Sequence, residues 1–348
     1  MGGYFIKRLL LIIPTLLGIM TLNFFIIQAA PGGPVEQMIA KIEHRDMAGE
    51  VFSSKSVYKN QGLDEEMLAK IKILYGFDKP LWERYLLMIK NYVCFDFGES
   101  FYKNISVVDL IIQKLPVSIS LGLWSTLLIY LISIPLGIKK AVCNGSPFDT
   151  FTSTLIIIGN AIPTFLFALI LIVLFAGGTY WNWFPLRGIV GDNFESLSTL
   201  GKIKDYFWHI TLPIISLSIG GFATLTLLCK NAFLEEIAKQ YVKLALSKGL
   251  SYKQVLYRHI FRNAMLLVIS SIPSALLGIL LTGSLLVEII FSLDGLGLLG
   301  YESVITRDYP VIFGSLYIFT LLGLLITLIS DLLYTCIDPR INFQKVAK

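Results

Sequence analysis

Six long apolar stretches constrain this chain more than any other feature of its sequence. They cover residues 9–28, 116–138, 151–176, 210–228, 266–290 and 311–335. A helix of about 20 residues crosses the roughly 30 Å hydrocarbon core of a bilayer, and each stretch is close to that length. Hydrophobic residues make up 55% of the chain, and its mean hydropathy is +0.71. We therefore predict an all-α integral membrane protein with six transmembrane helices.

Basic residues near the ends of these stretches predict the orientation of the chain. Cytoplasmic loops carry an excess of lysine and arginine, whereas long loops cross the membrane largely regardless of charge. One side carries 14 basic residues: Lys7, Arg8, Lys139, Lys140, seven within residues 230–262, Arg340, Lys345 and Lys348. The short loops of the other side carry four, which are Arg187, Lys202, Lys204 and Arg307. We expect both termini and residues 230–265 to be cytoplasmic, and residues 30–115 to form a large external segment.

The first apolar stretch has one alternative interpretation, a cleaved secretory signal. Its apolar run is longer than the roughly 7 to 15 residues of a signal core, so we expect an uncleaved span. The external segment that follows contains helical apolar spacing at residues 63–75 and 81–93. Two short amphipathic helices are predicted there.

A polar block at residues 230–265, between the fourth and fifth apolar stretches, predicts two short helices joined at Gly249. In its first half, apolar side chains recur at the spacing of an amphipathic helix; they are Phe233, Ile237, Tyr241 and Leu244. We expect one helix over residues 233–248. Gly249 suits the left-handed backbone position that ends many helices.

The second helix of the polar block begins at a predicted capping box and continues into the fifth apolar stretch. Ser251 is followed three residues later by Gln254, the spacing at which both side chains bond free N–H groups at a helix start. This helix carries Arg258, His259 and Arg262. A polar helix-turn-helix that continues into a membrane helix can transmit movement.

Several short segments, placed in order between the apolar stretches, are distinctive. They are residues 7–10, 241–250, 258–259 and 262–264, together with Tyr75-Gly76-Phe77-Asp78-Lys79-Pro80-Leu81, Phe95-Asp96-Phe97-Gly98-Glu99-Ser100, Phe291-Ser292-Leu293-Asp294-Gly295-Leu296-Gly297, Arg307-Asp308-Tyr309-Pro310 and Asp338-Pro339-Arg340-Ile341. These segments resemble permeases of ATP-binding-cassette (ABC) importers, in particular the B-type subunit of the dipeptide/oligopeptide importer family. Their order and their placement between the apolar stretches make the resemblance specific. Gly32-Gly33-Pro34 and an insertion at residues 41–61 are most similar to the Yej branch.

The resemblance implies a transmembrane permease subunit that forms a pathway for peptide uptake and couples it to ATP hydrolysis on separate subunits. The implied partners are a homologous second permease, two ATP-binding subunits and an external peptide-binding protein, at the bacterial cytoplasmic (inner) membrane. In that family the polar block docks into a groove on the ATPase. The coupling residues implied here are Phe233, Ile237, Tyr241, Val242, Lys243, Leu244, Ala245, Ser247, Lys248, Gly249, Arg258, His259, Arg262 and Asn263.

Catalytic and cofactor motifs are missing from the sequence. It contains no Gly-x-x-x-x-Gly-Lys-Ser/Thr phosphate loop and no His-Glu-x-x-His metal pattern. We expect no enzymatic activity and no cofactor on this chain, with ATP and Mg bound by the partner ATPases. Aromatic–basic arrays typical of nucleic-acid binding are also missing, so no nucleic-acid partner is expected.

Two other functions compete with the permease interpretation. An ion-coupled secondary transporter predicts inverted repeats and ionisable groups near mid-membrane, and the sequence shows neither. A membrane interaction protein without transport would bind a partner through residues 230–265, but peptide would not affect ATP hydrolysis by that partner.

A few polar residues lie in the apolar stretches, where a charge costs roughly 2.5–3.5 kcal/mol at mid-helix. Asp331 either lines the pathway or pairs with a basic residue near the interface, and we expect the pairing. Asn23 and Asn160 line the pathway or bond neighbouring helices. Glu288, near an external end, is expected to be solvated. Five stretches contain a proline, which favours a kink: Pro14, Pro135, Pro163, Pro213 and Pro273.

The external loop at residues 291–310 contains three glycines, which permit close backbone approach. They are Gly295, Gly297 and Gly300. The loop either dips back between the helices near the mouth of the pathway or forms an ordinary surface turn.

Overall fold

The computed structural model describes residues 2–29, 79–100, 102–103, 105–178, 180–275 and 285–337. In these ranges the chain is helical, and pairing of extended backbone is limited to one isolated bridge between Glu99 and Ser106. The predicted all-α class is confirmed for this part of the chain. The predicted helix at 63–75, the insertion at 41–61 and residues 338–348 lie outside it.

Helices account for most of the described residues. They are α1 (Gly2–Ala29), α2 (Leu81–Val93), α3 (Val107–Val142), α4 (Pro147–Ala161), α5 (Thr164–Phe175), α6 (Thr199–Ile237), α7 (Gln240–Ser247), α8 (Tyr252–Val255), α9 (Phe261–Ser270), α10 (Leu285–Ile290), α11 (Leu296–Thr306) and α12 (Tyr309–Ile337). A π-helical turn, Leu256–Ile260, joins α8 to α9. The helix predicted at residues 81–93 is confirmed as α2.

Four helices of the described part are long and apolar enough to cross a membrane. Their candidate spans are Ile6–Ile26 in α1, Val107–Val142 in α3, Thr199–Ile237 in α6 and Tyr309–Leu332 in α12. Large apolar side chains lie exposed along them, for example Ile13, Leu131 and Ile329. Soluble proteins rarely expose continuous apolar surface, whereas a membrane helix presents such side chains to lipid.

The predicted third span, residues 151–176, is not one continuous helix. α4 and α5 lie on either side of a break at Ile162 and Pro163, and the two helices are bent by 96°. Ile162 has an extended backbone (φ −82°, ψ 120°), which a following proline favours because its ring clashes with a helical neighbour. Pro163 also has no N–H to continue the helical hydrogen bonds. Pro135 and Pro213, in contrast, lie inside α3 and α6.

The predicted count of six spans is only partly covered by the described residues. They contain four candidate spans, or five if the bent pair of α4 and α5 is one span. The remaining predicted span, residues 266–290, includes residues 276–284, which lie outside the described part. The helices on its two flanks are α9 and α10.

One compact unit comprises Met1–Arg8, Gln113–Leu299 and Leu322–Lys348, and α6 is its central helix. α6 packs against α4, α5 and α9. The core around its C-terminal half includes Cys229, Phe233, Val255, Ile260 and Val268. A second core around its N-terminal half includes Leu121, Leu171, Leu212, Leu217 and Phe291. The first of these cores fixes the polar block at residues 230–265 to the membrane helices.

A second compact unit comprises Leu9–Ile112 and Gly300–Leu321. Its core is aromatic, with rings in contact among Phe24, Tyr85, Tyr92, Phe97, Phe313 and Tyr317. A buried hydrogen bond from Ser100 Oγ to Asp308 Oδ2, 2.5 Å long, joins the segment after α2 to the start of α12. This unit holds most of the described portion of the predicted external segment.

Candidate functional site

A break between α6 and α7 divides the segment that the sequence predicts as one helix, residues 233–248. α6 ends at Ile237, Lys239 is extended (φ −70°, ψ 149°), and α7 begins at Gln240. The prediction of a single helix is therefore wrong. Phe233 and Ile237 belong to the end of α6, and the other predicted coupling residues lie on α7 and beyond.

A network of polar side chains holds this break in place. Glu236 forms an ion pair with Lys239 and accepts a hydrogen bond from the Tyr241 hydroxyl at 2.6 Å. Asn263, on α9, donates to the same hydroxyl at 3.4 Å. The hydrogen bond with Glu236 raises the pKa of Lys239, and burial raises the pKa of Tyr241. Both groups are therefore protonated at neutral pH, and the network joins α6, α7 and α9.

The turn after α7 has the geometry that the sequence predicts. Gly249 is left-handed, with φ +85°, and the space around a Cβ there is open. Backbone conformation rather than packing therefore favours glycine. The capping box is also confirmed, since the Ser251 N–H donates to Gln254 Oε1 at 3.0 Å and the Gln254 N–H donates to Ser251 Oγ at 3.4 Å.

α7 has a buried face and an exposed face. Val242 and Ala245 pack into the core at the end of α6. Leu244 is 58% exposed and Leu246 is 38% exposed. The break after Ile237 ends the helical register that would place Leu244 on the same face as Phe233. Lys243, Ser247 and Lys248 are exposed as well, and we call these five residues the α7 surface. Two leucines thus lie exposed close in sequence to two lysines.

The helix after the turn is divided in the same way. Its buried residues include Val255, Leu256 and Ile260. Its exposed residues include Arg258, His259, Arg262 and Asn263. The π-helical turn at Leu256–Ile260, which the sequence does not predict, widens the helix at this point; such turns frequently occur at functional sites.

An ion cluster that sequence reasoning missed joins α3, α4 and α6. Lys140 Nζ lies 3.0 Å from one carboxylate oxygen of Asp149, and Lys230 Nζ lies 2.7 Å from the other. Lys140 also donates to the hydroxyls of Thr152 and Ser153, at 2.8 Å and 2.7 Å. The sequence analysis used both lysines only as basic residues that indicate the orientation of the spans. The cluster could have been suspected from Asp149, an aspartate that lies beside an apolar stretch and close to basic residues in the sequence.

The structure shows the surroundings of the three predicted pathway residues, Asp331, Asn23 and Asn160. Asp331 of α12 forms an ion pair with Arg8 of α1, so the expected pairing with a basic residue is observed. Asn23 is half-buried in α1, and Asn160 is exposed near the end of α4. These placements assign neither asparagine to a pathway.

The expectation that Glu288 is solvated is wrong. Its side chain is fully buried, and Oε2 accepts a hydrogen bond from the Leu298 N–H, in the first turn of α11, at 2.6 Å. Ser118 of α3 accepts from the Leu296 N–H at 2.8 Å. A Cβ on Gly295 would lie 2.6 Å from the Glu288 carboxyl carbon. The carboxylate thus caps the positive end of α11, and this part of the loop packs inward instead of forming a surface turn.

A cavity of about 410 Å³ lies among α3, α6 and the residues that follow α9. Its polar lining consists of hydroxyl side chains, those of Tyr130, Thr224, Ser271 and Ser274, and the glycine pair Gly220 and Gly221 forms part of its wall. The Tyr130 hydroxyl is 2.6 Å from Ser271 Oγ. None of the described lining residues is charged, and the volume is within the usual range for small-molecule sites.

The described part of the chain combines membrane-length helices with a basic helix-turn-helix that is partly exposed, and comparison with known proteins shows the class to which such a chain belongs. The family described as "Binding-protein-dependent transport system inner membrane component" matches residues 133–343. The chain belongs to this family. It is an inner-membrane permease component of a binding-protein-dependent ABC transport system.

Several individual permeases are similar to this chain along nearly its whole length. The chain is 56% identical over 362 residues to the inner membrane ABC transporter permease protein YejB of Escherichia coli O157:H7, covering 99% of this chain and 100% of the relative. It is 56% identical over 361 residues to the peptidoglycan transport system permease protein YejB of Agrobacterium fabrum, covering 99% of each. Identity to the oligopeptide transport system permease protein AppB of Bacillus subtilis is 37% over 348 residues, covering 99% and 100%. The predicted similarity to the Yej branch is confirmed.

A solved structure shows the same fold. A chain of the methionine ABC transporter MetNI, in an inward-facing conformation, aligns with a TM-score of 0.51 and 16% identity. The alignment covers 66% of this chain and 97% of that chain. At such low identity the likeness concerns the fold alone.

Proposed function

We propose that this chain forms one half of the transmembrane pathway of a peptide importer and couples that pathway to ATP hydrolysis on separate ATPase subunits. The observation that carries the coupling is the exposed α7 surface, which the Glu236–Tyr241–Asn263 network fastens to α6 and α9. A peptide substrate is supported by the relatives, since AppB belongs to an oligopeptide transport system.

The proposed docking site for the ATPase consists of the α7 surface, the turn at Gly249 and the exposed residues Arg258, His259 and Arg262. Exposed leucines together with exposed lysines suit an apolar pocket with an acidic rim, because interfaces combine an apolar centre with a polar edge. The other predicted coupling residues support this surface from behind. Phe233, Ile237, Val242 and Ala245 do so through apolar packing, and Tyr241 and Asn263 through the polar network.

The proposed topology has six transmembrane helices in a single domain over residues 1–348. The external segment is 30–115, the coupling loop is 230–265, and both termini are cytoplasmic. The excess of basic residues on one side supports this orientation. A homologous second permease completes the pathway, and an external binding protein delivers the peptide.

Movement at the docking site drives transport in this proposal. ATP binding draws the two ATPases together, and α7 moves with its groove. Because α7 is fastened to α6 and α9, these helices tilt and switch access to the pathway; differential contacts in the two states couple the cycles. ATP and Mg belong to the ATPases, and this chain needs no cofactor. Asn23, Asn160 and Asp331 remain predicted pathway residues, and the cavity beside Tyr130 is a further candidate.

Reconstitution tests this function. Proteoliposomes that contain both permeases and both ATPases are supplied with the binding protein, and uptake of labelled oligopeptides and peptidoglycan fragments is measured. We expect uptake that requires hydrolysable ATP and stops when the ATPases are omitted. Uptake driven by an ion gradient without ATP, or ATP hydrolysis that no peptide changes, would contradict the proposal.

A further inference from the structure

The ion cluster of Lys140, Asp149 and Lys230 is a buried set of charges separate from the α7 surface. Lys140 is 0% exposed and Asp149 is 5% exposed. Buried charges persist only when they are paired and hydrogen-bonded, and these are: the Asp149 carboxylate contacts both ammonium groups, and Lys140 bonds three further oxygens. The cluster is therefore a fixed arrangement rather than a loose surface contact.

Each charge of the ion cluster comes from a different helix end. Lys140 is two residues before the end of α3, Asp149 is in the first turn of α4, and Lys230 is seven residues before the end of α6. The Asp149 carboxylate also accepts a hydrogen bond from the Gly145 N–H at 3.1 Å, in the connection between α3 and α4. One carboxylate thus holds the ends of three helices.

Close packing accompanies the ion cluster between α3 and α6. A Cβ on Gly137 would lie 2.7 Å from the Cys229 Cβ and 3.0 Å from the Thr226 carbonyl oxygen. Cys229 is fully buried and directly precedes Lys230. The two helices therefore meet with little free space at this level.

We propose that Asp149 is a positioning residue for coupling, which makes α3 and α4 move with the end of α6 when α7 moves. The inference rests on the proposed function, since it concerns how movement of the docking site reaches the pathway. α3 and α6 both line the cavity beside Tyr130. The ion cluster would thus connect the motor side of the chain to the shape of that cavity.

Substitutions of Lys230 and Asp149 give a sharp test. K230M removes the bond to α6 but leaves a neutral Lys140–Asp149 pair, whereas D149N leaves two lysines without their counter-charge. K230R keeps a cation that can bond Asp149. K204M is the control, because Lys204 lies on the same helix as Lys230 but is exposed and is not part of the ion cluster. The readout in the reconstituted complex is the number of peptides taken up per ATP hydrolysed.

We expect K230M and D149N to lower this ratio by about tenfold, a typical allosteric coupling, while the ATPases still co-purify and hydrolyse ATP. K230R and K204M should keep the wild-type ratio. An unchanged ratio in assembled K230M complexes would overturn the inference, and so would failure of K230M to assemble, because the cluster would then serve folding. Absence of peptide uptake by the wild-type complex would instead contradict the proposed function, and this inference with it.

Discussion

At Gly249 a single backbone angle fixes the direction of the chain between two helices. Its φ of +85° lies in the left-handed region, and no neighbouring atom limits the size of a side chain there. The substitution G249V should therefore cost roughly 1–2 kcal/mol of stability through backbone strain alone. G249N should cost less, because asparagine tolerates this conformation. Thermal unfolding and peptide uptake of the two variants check this, and equal effects would show that φ is not the determinant.

Gly295 is constrained by packing instead. A Cβ on Gly295 would lie 2.6 Å from the Glu288 carboxyl carbon, so G295A should destabilise the protein by about 1–3 kcal/mol through overpacking. The control is G300A, since the space around Gly300 within α11 is open and alanine favours a helix. Thermal unfolding of both variants measures the difference.

A double-mutant cycle with E288A tests whether the Glu288 carboxylate causes the destabilisation expected for G295A. Removing the carboxylate creates room for the new methyl group, so G295A should cost less in the E288A background, with a coupling energy of about 0.5–3 kcal/mol. Strictly additive effects would mean that Glu288 is not what excludes a side chain at Gly295.

Residue-level prediction from the sequence succeeds where the determinants are local. The conformation of Gly249 and the hydrogen bonds of Ser251 and Gln254 are predicted correctly, because a left-handed turn and a capping box depend on residues at most a few positions apart. Glu288 and Asp149 are not, because their environments come from partners far away along the chain. A carboxylate near a span end looks solvated until the fold places a helix N-terminus against it.

At the scale of elements, α7 is the helix on which the docking proposal depends. L244P should break it, because proline removes a helical hydrogen bond and clashes with the preceding turn at a cost of about 3 kcal/mol or more. We expect the variant chain to insert in the membrane but to lose the ATPase during purification. L244A, which keeps the helix and shortens the more exposed of its two exposed leucines, should weaken retention less. Normal ATPase retention by L244P would place the docking surface elsewhere.

The spacing of apolar residues does not predict where the helices of this chain end or bend. The break at Ala238 and Lys239 contains no glycine or proline, and the apolar spacing continues through it. The side-chain network of Glu236, Lys239 and Tyr241 outweighs local helix propensity there. At Ile162 and Pro163 the sequence does indicate a kink, but the 96° angle depends on packing of α4 and α5 against α6.

At the scale of the whole molecule, hydropathy predicts the membrane class, and the ordered segments predict the family and its Yej branch. Both follow from the sequence because a bilayer needs about 20 apolar residues per span and because the matched segments extend over nearly the whole chain. Orientation is a different kind of property. It depends on which side of the membrane the basic residues occupy, and the central claim that the α7 surface docks a cytoplasmic ATPase depends on it.

Side-specific labelling of S247C directly tests whether the α7 surface is cytoplasmic and docks the ATPase. In a background in which the four native cysteines are replaced by alanine, an impermeant maleimide is added to right-side-out and inside-out vesicles, with and without the ATPase. S196C, exposed in a predicted external loop, is the control for the opposite side. The account predicts labelling of S247C only from the cytoplasmic side, with protection when the ATPase is bound. Labelling from the external side, or labelling that the bound ATPase leaves unchanged, would contradict it.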